Sequence, residues 1–121
     1  MRFLLLSSPQ PRVELPGEFA PPAVVDLRPV DWERELALIA DMGEQRTGGY
    51  SVRVLGVKVE SGQALVDLEV RRPAPGGLVT QAITHPACLA RIPRAGLAPG
   101  ARIRVRDQQG DVLADLPAPP A

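Results

Sequence analysis

Aromatic residues, cysteine and histidine are scarce in this sequence. Aromatics make up 3% of the 121 residues, and there is one cysteine, Cys88, and one histidine, His85. A single cysteine cannot form an internal disulfide, and one cysteine with one histidine is too small a ligand set for a structural zinc site. We therefore predict neither a metal site nor a cofactor. For Cys88 we expect a small buried thiol, and for His85 a partly exposed imidazole.

Neither sign of charge is in excess, and no apolar run is long. The chain has 14 Lys plus Arg against 14 Asp plus Glu, so its formal net charge is zero. This removes the usual electrostatic basis for binding nucleic acid or an anionic membrane surface. The apolar run near the N-terminus covers only residues 3–6, whereas a secretory signal needs ~7–15 apolar residues and a membrane helix ~20. We expect a cytoplasmic protein with no nucleic-acid or membrane partner.

Motifs that carry enzyme chemistry are also missing. The serines lack the G-x-S-x-G context that marks a nucleophile. Gly48-Gly49 lacks the Lys-Ser/Thr of a phosphate loop and the spacing of a dinucleotide fingerprint. The acidic residues form no close pair set apart from cations. The sequence therefore predicts no catalytic residue and a protein that is not an enzyme.

Several segments of the chain alternate apolar and polar residues with a period of two. Residues 66–70 alternate apolar and charged side chains, which is typical of a half-buried strand. In residues 51–60 the valines change parity at Gly56, and this predicts a β-bulge. Glu60-Ser61-Gly62-Gln63 then supplies a hairpin turn.

A second hairpin is predicted by the alternating residues 102–106 and the returning residues 112–116. Between them, Asp107-Gln108-Gln109-Gly110 has the residue preferences of a type I turn followed by a glycine bulge. The arginines of the first strand favour ordinary charge pairing over a nucleic-acid stripe, because acidic residues stand across the hairpin. The cross-strand pairs expected in the two hairpins join Arg53 and Lys58 to Asp67 and Glu69, and Arg102 and Arg106 to Asp115 and Asp111.

The ends of the chain are rich in proline. We expect residues 1–29 to form a first strand and a proline-rich connection packed on the domain, with a short edge strand at residues 23–25. We expect residues 30–116 to form the β domain. Residues 117–121 are polyproline-like, and we expect a disordered tail there.

Residues 31–43 are ambiguous. Asp31 as a helix cap, glutamates in the first turn and a terminal Gly43 favour a helix. A strand is favoured because the neighbouring segments are all strands and because alternate residues from 36 to 42 are apolar, namely Leu36, Leu38, Ala40 and Met42. The residues alone leave both possibilities open.

Thr47-Gly48-Gly49-Tyr50 is the most distinctive short motif. Two glycines in a row permit backbone angles that other residues avoid, and the motif presents the only tyrosine in the chain. Tyr50 is either a core lid above a tight turn or an exposed anchor for a partner, and the sequence leaves both readings open.

Residues 30–94 resemble the C-terminal domain of PrcB-type subunits of protease complexes. The motifs that carry the resemblance are Val30-Asp31-Trp32, an apolar stretch ending at Gly43, Thr47-Gly48-Gly49-Tyr50-Ser51, a Pro-x-Pro-Gly loop at residues 73–76, Val79-Thr80-Gln81-Ala82, Thr84-x-Pro86 and Ile92-Pro93. The resemblance implies a strand at residues 35–42. It also implies an accessory partner that stabilises a protease; such subunits are surface-associated and lipidated. In contrast to such subunits, we expect neither a signal sequence nor a lipid-accepting N-terminal cysteine here, because the apolar run at residues 3–6 is short and Cys88 is the one cysteine.

A second likeness is to chagasin-like inhibitors of cysteine peptidases, which insert a Thr/Gly-Tyr loop and a glycine-rich loop into the active-site cleft. The aromatic that follows Arg-Pro in their third loop has no counterpart here. We keep this inhibitor as the alternative function.

The sequence thus predicts an all-β single domain, a β-sandwich or partly open barrel of about seven or eight short antiparallel strands with at most one short helix. The predicted function is that of a non-catalytic protein-binding module, accessory to a protease or other complex. Two loops are expected to bind the partner, through Thr47, Gly48, Gly49, Tyr50, Pro75, Gly76, Gly77 and Gln81.

Overall fold

The computed structural model describes residues 1–19 and 21–119. These residues contain nine β-strands in three sheets, with no helix and no closed barrel among them. No helix that is long and apolar enough to span a membrane occurs in the same residues. The all-β prediction and the sandwich are confirmed. The strands are β1 (Arg2–Leu6), β2 (Arg12–Leu15), β3 (Ala23–Asp26), β4 (Glu35–Asp41), β5 (Ser51–Glu60), β6 (Gln63–Arg71), β7 (Ala87–Pro93), β8 (Arg102–Arg106) and β9 (Val112–Pro117).

The sheets form three layers. The middle layer is the three-stranded sheet β1-β4-β7. One of its faces packs against the four-stranded sheet β5-β6-β8-β9 in a large apolar cluster that includes Leu38, Leu68 and Ile103. The other face packs against the β2–β3 hairpin in a smaller cluster that includes Leu15 and Ile39. The middle sheet is therefore buried on both sides.

β4 resolves the ambiguity of residues 31–43 in favour of the strand. The residues that favour a helix start form a single turn, in which the Arg34 and Glu35 amides both donate to the Asp31 carbonyl, at 2.9 and 2.7 Å. The chain then extends into β4. All residues from 36 to 41 are buried, with successive side chains entering the two different clusters. A strand buries both faces in this way, whereas a helix of the same length buries one stripe.

The β5–β6 hairpin has the predicted bulge and turn. The pairing register shifts between Val54 and Gly56, which returns the apolar residues of β5 to one face. Ser61 and Gly62 both have positive φ, at 53° and 77°, as a type I′ turn requires. Across the hairpin, Arg53 Nε donates to Glu69 Oε1 at 2.9 Å as expected. Lys58, however, lies nearest Glu60.

The β8–β9 hairpin is closed by the predicted turn. The Gly110 amide donates to the Asp107 carbonyl at 3.1 Å, and Asp107 Oδ1 accepts from the amides of residues 109 and 111. Arg102 pairs with Asp115 at 2.6 Å, as predicted. Arg106 pairs with Asp67 of β6 and not with Asp111, because β8 lies directly beside β6.

The β6–β8 pair departs from the antiparallel expectation. Among the strand pairs of the described residues it is the one that runs parallel. The reason is that β7, which separates β6 from β8 along the chain, belongs to the middle sheet. Past the end of this ladder, the Gln108 amide continues it by accepting from the Val70 amide at 2.9 Å and donating to the Val70 carbonyl at 2.7 Å.

The proline-rich ends are more ordered than the composition suggests. Residues 12–15 form β2, which the sequence analysis did not predict and which brings the strand count above the expected seven or eight. At the other end, Pro117 closes β9, and the buried Ala118 donates its amide to the Ala101 carbonyl at 2.7 Å. The segment expected to be a disordered tail is thus structured at residues 117 and 118; Pro120 and Ala121 lie outside the described residues.

Candidate functional site

The loop before β5 is fastened to the segment before β7. Gln45 and Thr84 exchange backbone hydrogen bonds at 2.8 and 2.9 Å. The Gly48 amide donates to the Thr80 carbonyl at 3.0 Å, and Thr84 Oγ1 donates to the Thr47 carbonyl at 3.1 Å. The predicted site residues Thr47 and Gly48 therefore lie against the stretch that contains Gln81, whose own side chain is exposed.

The two glycines of the motif are required by close approach and by backbone conformation. A Cβ on Gly48 would overlap the Thr80 Oγ1 atom. Gly49 has φ +91°, and a Cβ there would stand 3.0 Å from Pro73 Cβ. The two glycines thus let the loop before β5 pack closely against Pro73, Val79 and Thr80.

The second predicted loop is a tight turn beside the first. The Gly77 amide donates to the Ala74 carbonyl at 2.9 Å, with Pro75 and Gly76 between them and Gly76 at φ +75°. Proline followed by a glycine of positive φ is the signature of a type II turn. Pro75, Gly76 and Gly77 are exposed. The structure therefore brings the two predicted loops together at one end of the molecule.

Tyr50 is half-buried, between the two readings that the sequence left open. Its ring lines a shallow cleft with Met1, Met42, Gln45 and Arg72. Met1 is itself 46% exposed. The ring is therefore neither a sealed core side chain nor a free anchor, and it borders apolar surface contributed by the start of the chain.

Leu78 is the exposed residue that sequence reasoning missed. Its side chain is fully exposed, at 105% of the reference area. Ile83, which lies in the same connection between β6 and β7 (residues 72–86), is 43% exposed. The neighbouring Val79 packs inward, with Cγ1 3.4 Å from the Cβ position of Gly49. The sequence contained one sign that Leu78 is exposed: it directly follows Gly76-Gly77 and belongs to no run that alternates apolar and polar residues.

His85 corrects the expectation of a partly exposed imidazole. Its side chain is only 7% exposed, and Nε2 lies 2.8 Å from Oδ1 of the buried Asp41. Asp41 Oδ1 also accepts from the Gly43 amide at 2.8 Å, and Oδ2 accepts from Arg2 at 3.2 Å. The ring is buried because His85 lies two residues before Ala87, the β7 residue that pairs with Asp41 at the end of β4. In the described part of the chain, Nδ1 is buried without a hydrogen-bond partner.

Cys88 packs at the edge of the large cluster and lies opposite Ala40 in the β4–β7 ladder. It is partly buried, and this burial raises the pKa of its thiol to about 11. A protonated thiol is a poor nucleophile and a poor metal ligand. Within residues 1–19 and 21–119, no group of three or more His, Cys, Asp or Glu side chains is arranged to hold a metal ion.

Comparison with known proteins gives one match. No curated protein and no solved structure is similar to the chain at a significant level. A family model, described as PrcB C-terminal, matches residues 36–93. That segment runs from β4 to the end of β7 and includes both loops of the candidate site. The resemblance that the sequence motifs predicted is therefore confirmed, and residues 36–93 are similar to the PrcB C-terminal family.

Proposed function

We propose that this protein is a non-catalytic protein-binding domain that serves as an accessory subunit of a protease complex. The observation that carries the proposal is Leu78, a fully exposed leucine held on an anchored connection beside the Thr-Gly-Gly-Tyr loop. The family match supports the protease part, because the PrcB C-terminal family is associated with protease complexes. A cytoplasmic location stays a prediction.

The anchoring of the connection matters for binding. Before Leu78 the chain is held by the close approach of Pro73 to Gly49 and by the Gly77–Ala74 turn bond. After Leu78 it is held by the packing of Val79 on Gly49 and by backbone hydrogen bonds at residues 80 and 84. A loop that is already ordered loses less conformational entropy when it binds than a flexible one. Leu78 and Ile83 then present apolar area that a partner removes from water, at roughly 25 cal/mol per Å².

The half-buried Tyr50 fits the rim of such a surface. Tyrosine combines a large apolar ring with a hydroxyl that forms hydrogen bonds, and it is enriched at binding hot spots. Its neighbours in the cleft, Met1 and Arg72, add an apolar and a cationic side chain. We expect the partner to contact both the connection and the Tyr50 cleft.

The test is affinity capture of the tagged protein from its own cells, followed by identification of what is bound. Wild type is compared with Leu78→Asp and Tyr50→Ala, and with Val24→Asp as the matched control, since Val24 is 58% exposed on β3. We expect a protease or a component of its complex to be captured by wild type and the control. Binding should weaken at least about tenfold for Leu78→Asp, equivalent to ~1.4 kcal/mol.

Two outcomes contradict the proposal. A bound protein retained equally by all four forms would show that the connection is not the binding surface. Inhibition of a papain-like peptidase by wild type that is lost in Leu78→Asp and Tyr50→Ala would favour the chagasin-like inhibitor instead. Circular dichroism of each variant confirms that a loss of binding does not reflect unfolding.

A further inference from the structure

β1 is an edge strand of unusual composition. In the described part of the chain it pairs with β4 alone, so its other side is an open edge with unpaired backbone amides and carbonyls. Residues 3–6 are Phe-Leu-Leu-Leu, without charge or proline. All four side chains are half-buried. Such an edge is a template for the addition of another strand.

The other outer strands of the two larger sheets, β5, β7 and β9, carry features by which natural sheets block edge pairing. β5 has a bulge at Gly56 and exposed Arg53 and Lys58. β9 carries Asp115 and ends in a proline. The sequence of β7 includes Arg91 and also ends in a proline. Charge, proline and bulges all oppose edge-to-edge association, and the open edge of β1 has none of them along residues 3–6.

The two faces of β1 restrict what can pair with it. Phe3 and Leu5 pack against the large cluster, whereas Leu4 and Leu6 pack against the smaller one. A strand added beside β1 would continue the middle sheet between the same two layers. It must therefore be apolar on both faces, because a charged side chain there would be removed from water without a partner.

We propose that the open edge of β1 pairs with β1 of a second copy of this chain, in an antiparallel arrangement around a twofold axis at Leu4. In that register Phe3 stands opposite Leu5 of the copy, and each leucine at position 4 faces its equivalent. Directly opposite residues of antiparallel strands share a face, so both apolar clusters continue across the interface.

Charge and composition favour a second copy over another occupant. The two Arg2 side chains lie at opposite ends of the paired strands, and each is already matched by Asp41 of its own chain at 3.2 Å. No like charges meet. β1 itself has the property that the position demands, an uncharged stretch that is apolar on both faces. A twofold axis makes the contact self-complementary, and pairing closes both open edges at once.

The ladder is short, so the dimer is expected to be concentration-dependent. β1 has 5 residues, and an interface of this kind falls at the small end of specific interfaces. Sedimentation velocity over about 1 µM to about 1 mM spans the dissociation constants expected for weak association. We expect the wild-type mass to rise from monomer to dimer within this range.

Matched variants locate the contact. Leu4→Lys places a charge at the twofold axis and should weaken dimerisation at least about tenfold, whereas Val112→Lys, on the exposed edge of β9, should leave it unchanged. A second pair protects the test against misfolding: Leu4→Cys should be joined to its copy by a short bis-maleimide, and Val112→Cys should not. Wild type, which contains only Cys88, sets the background.

The proposal is overturned if wild type remains monomeric to about 1 mM, well above the dissociation constants of weak specific complexes, or if Leu4→Cys is crosslinked no faster than Val112→Cys. It is also overturned if a protein captured through the Leu78 surface, and not a second copy, protects Leu4→Cys from the reagent; the edge then belongs to that partner. Because Leu78→Asp leaves β1 unchanged, failure of the dimer and failure of the proposed partner binding are separate results.

Discussion

Leu38 and Leu78 are the same residue type at opposite extremes of exposure. Leu38, in the centre of β4, is 1% exposed, and Leu78, in the connection between β6 and β7, is 105% exposed. The first lies in a sheet covered by a layer on each side, and the second lies on a segment held by backbone hydrogen bonds and glycine contacts. Apolar packing thus stabilises the layers. The loops that we propose for binding are held in position by backbone hydrogen bonds and glycine contacts between residues 45–49 and residues 73–84.

Substitutions in the layers should therefore affect folding, whereas substitutions at Leu78 should affect only recognition. A buried leucine makes many dispersion contacts and is shielded from water, so its removal leaves a cavity. An exposed leucine makes few contacts within its own chain. The fold therefore gains little from Leu78, and the glycines at 48 and 49 contribute by having no side chain at all.

The largest effect is expected for Leu38→Ala. Loss of this side chain from the large cluster should lower the free energy of unfolding by about 2–5 kcal/mol, a substantial part of a typical stability of ~5–15 kcal/mol. Leu78→Ala should change the same quantity by less than about 0.5 kcal/mol. Urea unfolding followed by circular dichroism measures both. Equal effects of the two substitutions would remove the distinction between the regions.

An intermediate effect is expected where the two regions join, at Asp41 and His85. Asp41→Ala removes the partner of His85 Nε2 and the acceptor of the Gly43 amide, so buried polar groups are left without hydrogen bonds. We expect a loss of about 2–3 kcal/mol in the free energy of unfolding. Asp41→Asn keeps an oxygen acceptor and should cost less. If the two variants are equally stable, the hydrogen bonds do not hold this junction.

A smaller effect is expected for Gly48→Ala, which affects the loop end alone. The new Cβ overlaps Thr80 Oγ1, and the connection must shift, at a cost of about 1–2 kcal/mol. Thr80→Ala removes the overlapping atom, so the double variant should recover part of that loss. A double-mutant cycle on urea unfolding measures the coupling. Strictly additive effects would show that residues 48 and 80 do not touch in solution.

The smallest effect concerns pH and the outer β2–β3 hairpin. The Arg28 side chain, which hydrogen-bonds the carboxylate, and the Arg28 amide lower the pKa of Asp26 from 3.8 to about 2. Because the folded-state pKa lies below the unfolded value, the contribution of Asp26 to stability is present above pH 3.8 and is lost as the pH falls toward 2. Asp26 is exposed, so the effect is small and is screened by salt.

Unfolding midpoints measured across this window should fall less steeply in Asp26→Asn than in wild type. The pKa values of Glu69 and Asp115 are also lowered, by hydrogen bonds from Arg53 and Arg102, so the variant keeps a residual dependence. Identical profiles for variant and wild type would mean that the Asp26–Arg28 pair does not persist in solution.

Much of the fold could be predicted because hairpins are local. Alternation along residues 66–70, the parity change at Gly56 and the turn at residues 107–110 each involve neighbours in sequence, and the structure has all three. The two glycine-rich turns at residues 47–50 and 73–77 are also local, and the structure has both. That they bind a partner stays a prediction. The glycines at 48 and 49 predicted backbone angles that other residues avoid. They did not predict that Thr80 would lie so close to Gly48 that no side chain fits there.

Period, turn chemistry and motif order are written along the chain, and they predicted most of the strands, although not β2, together with the turns and the family resemblance. The pattern of residues 35–41 fitted a helix and a strand alike, and the family resemblance implied the strand that the structure has. The parallel β6–β8 pair, the burial of His85 against Asp41 and the exposure of Leu78 follow from the tertiary structure alone. Each of these depends on which distant segments meet. A helix signal at Asp31 gives way after one turn because two apolar layers cover residues 36–40 from both sides, and no local pattern records the presence of the second layer.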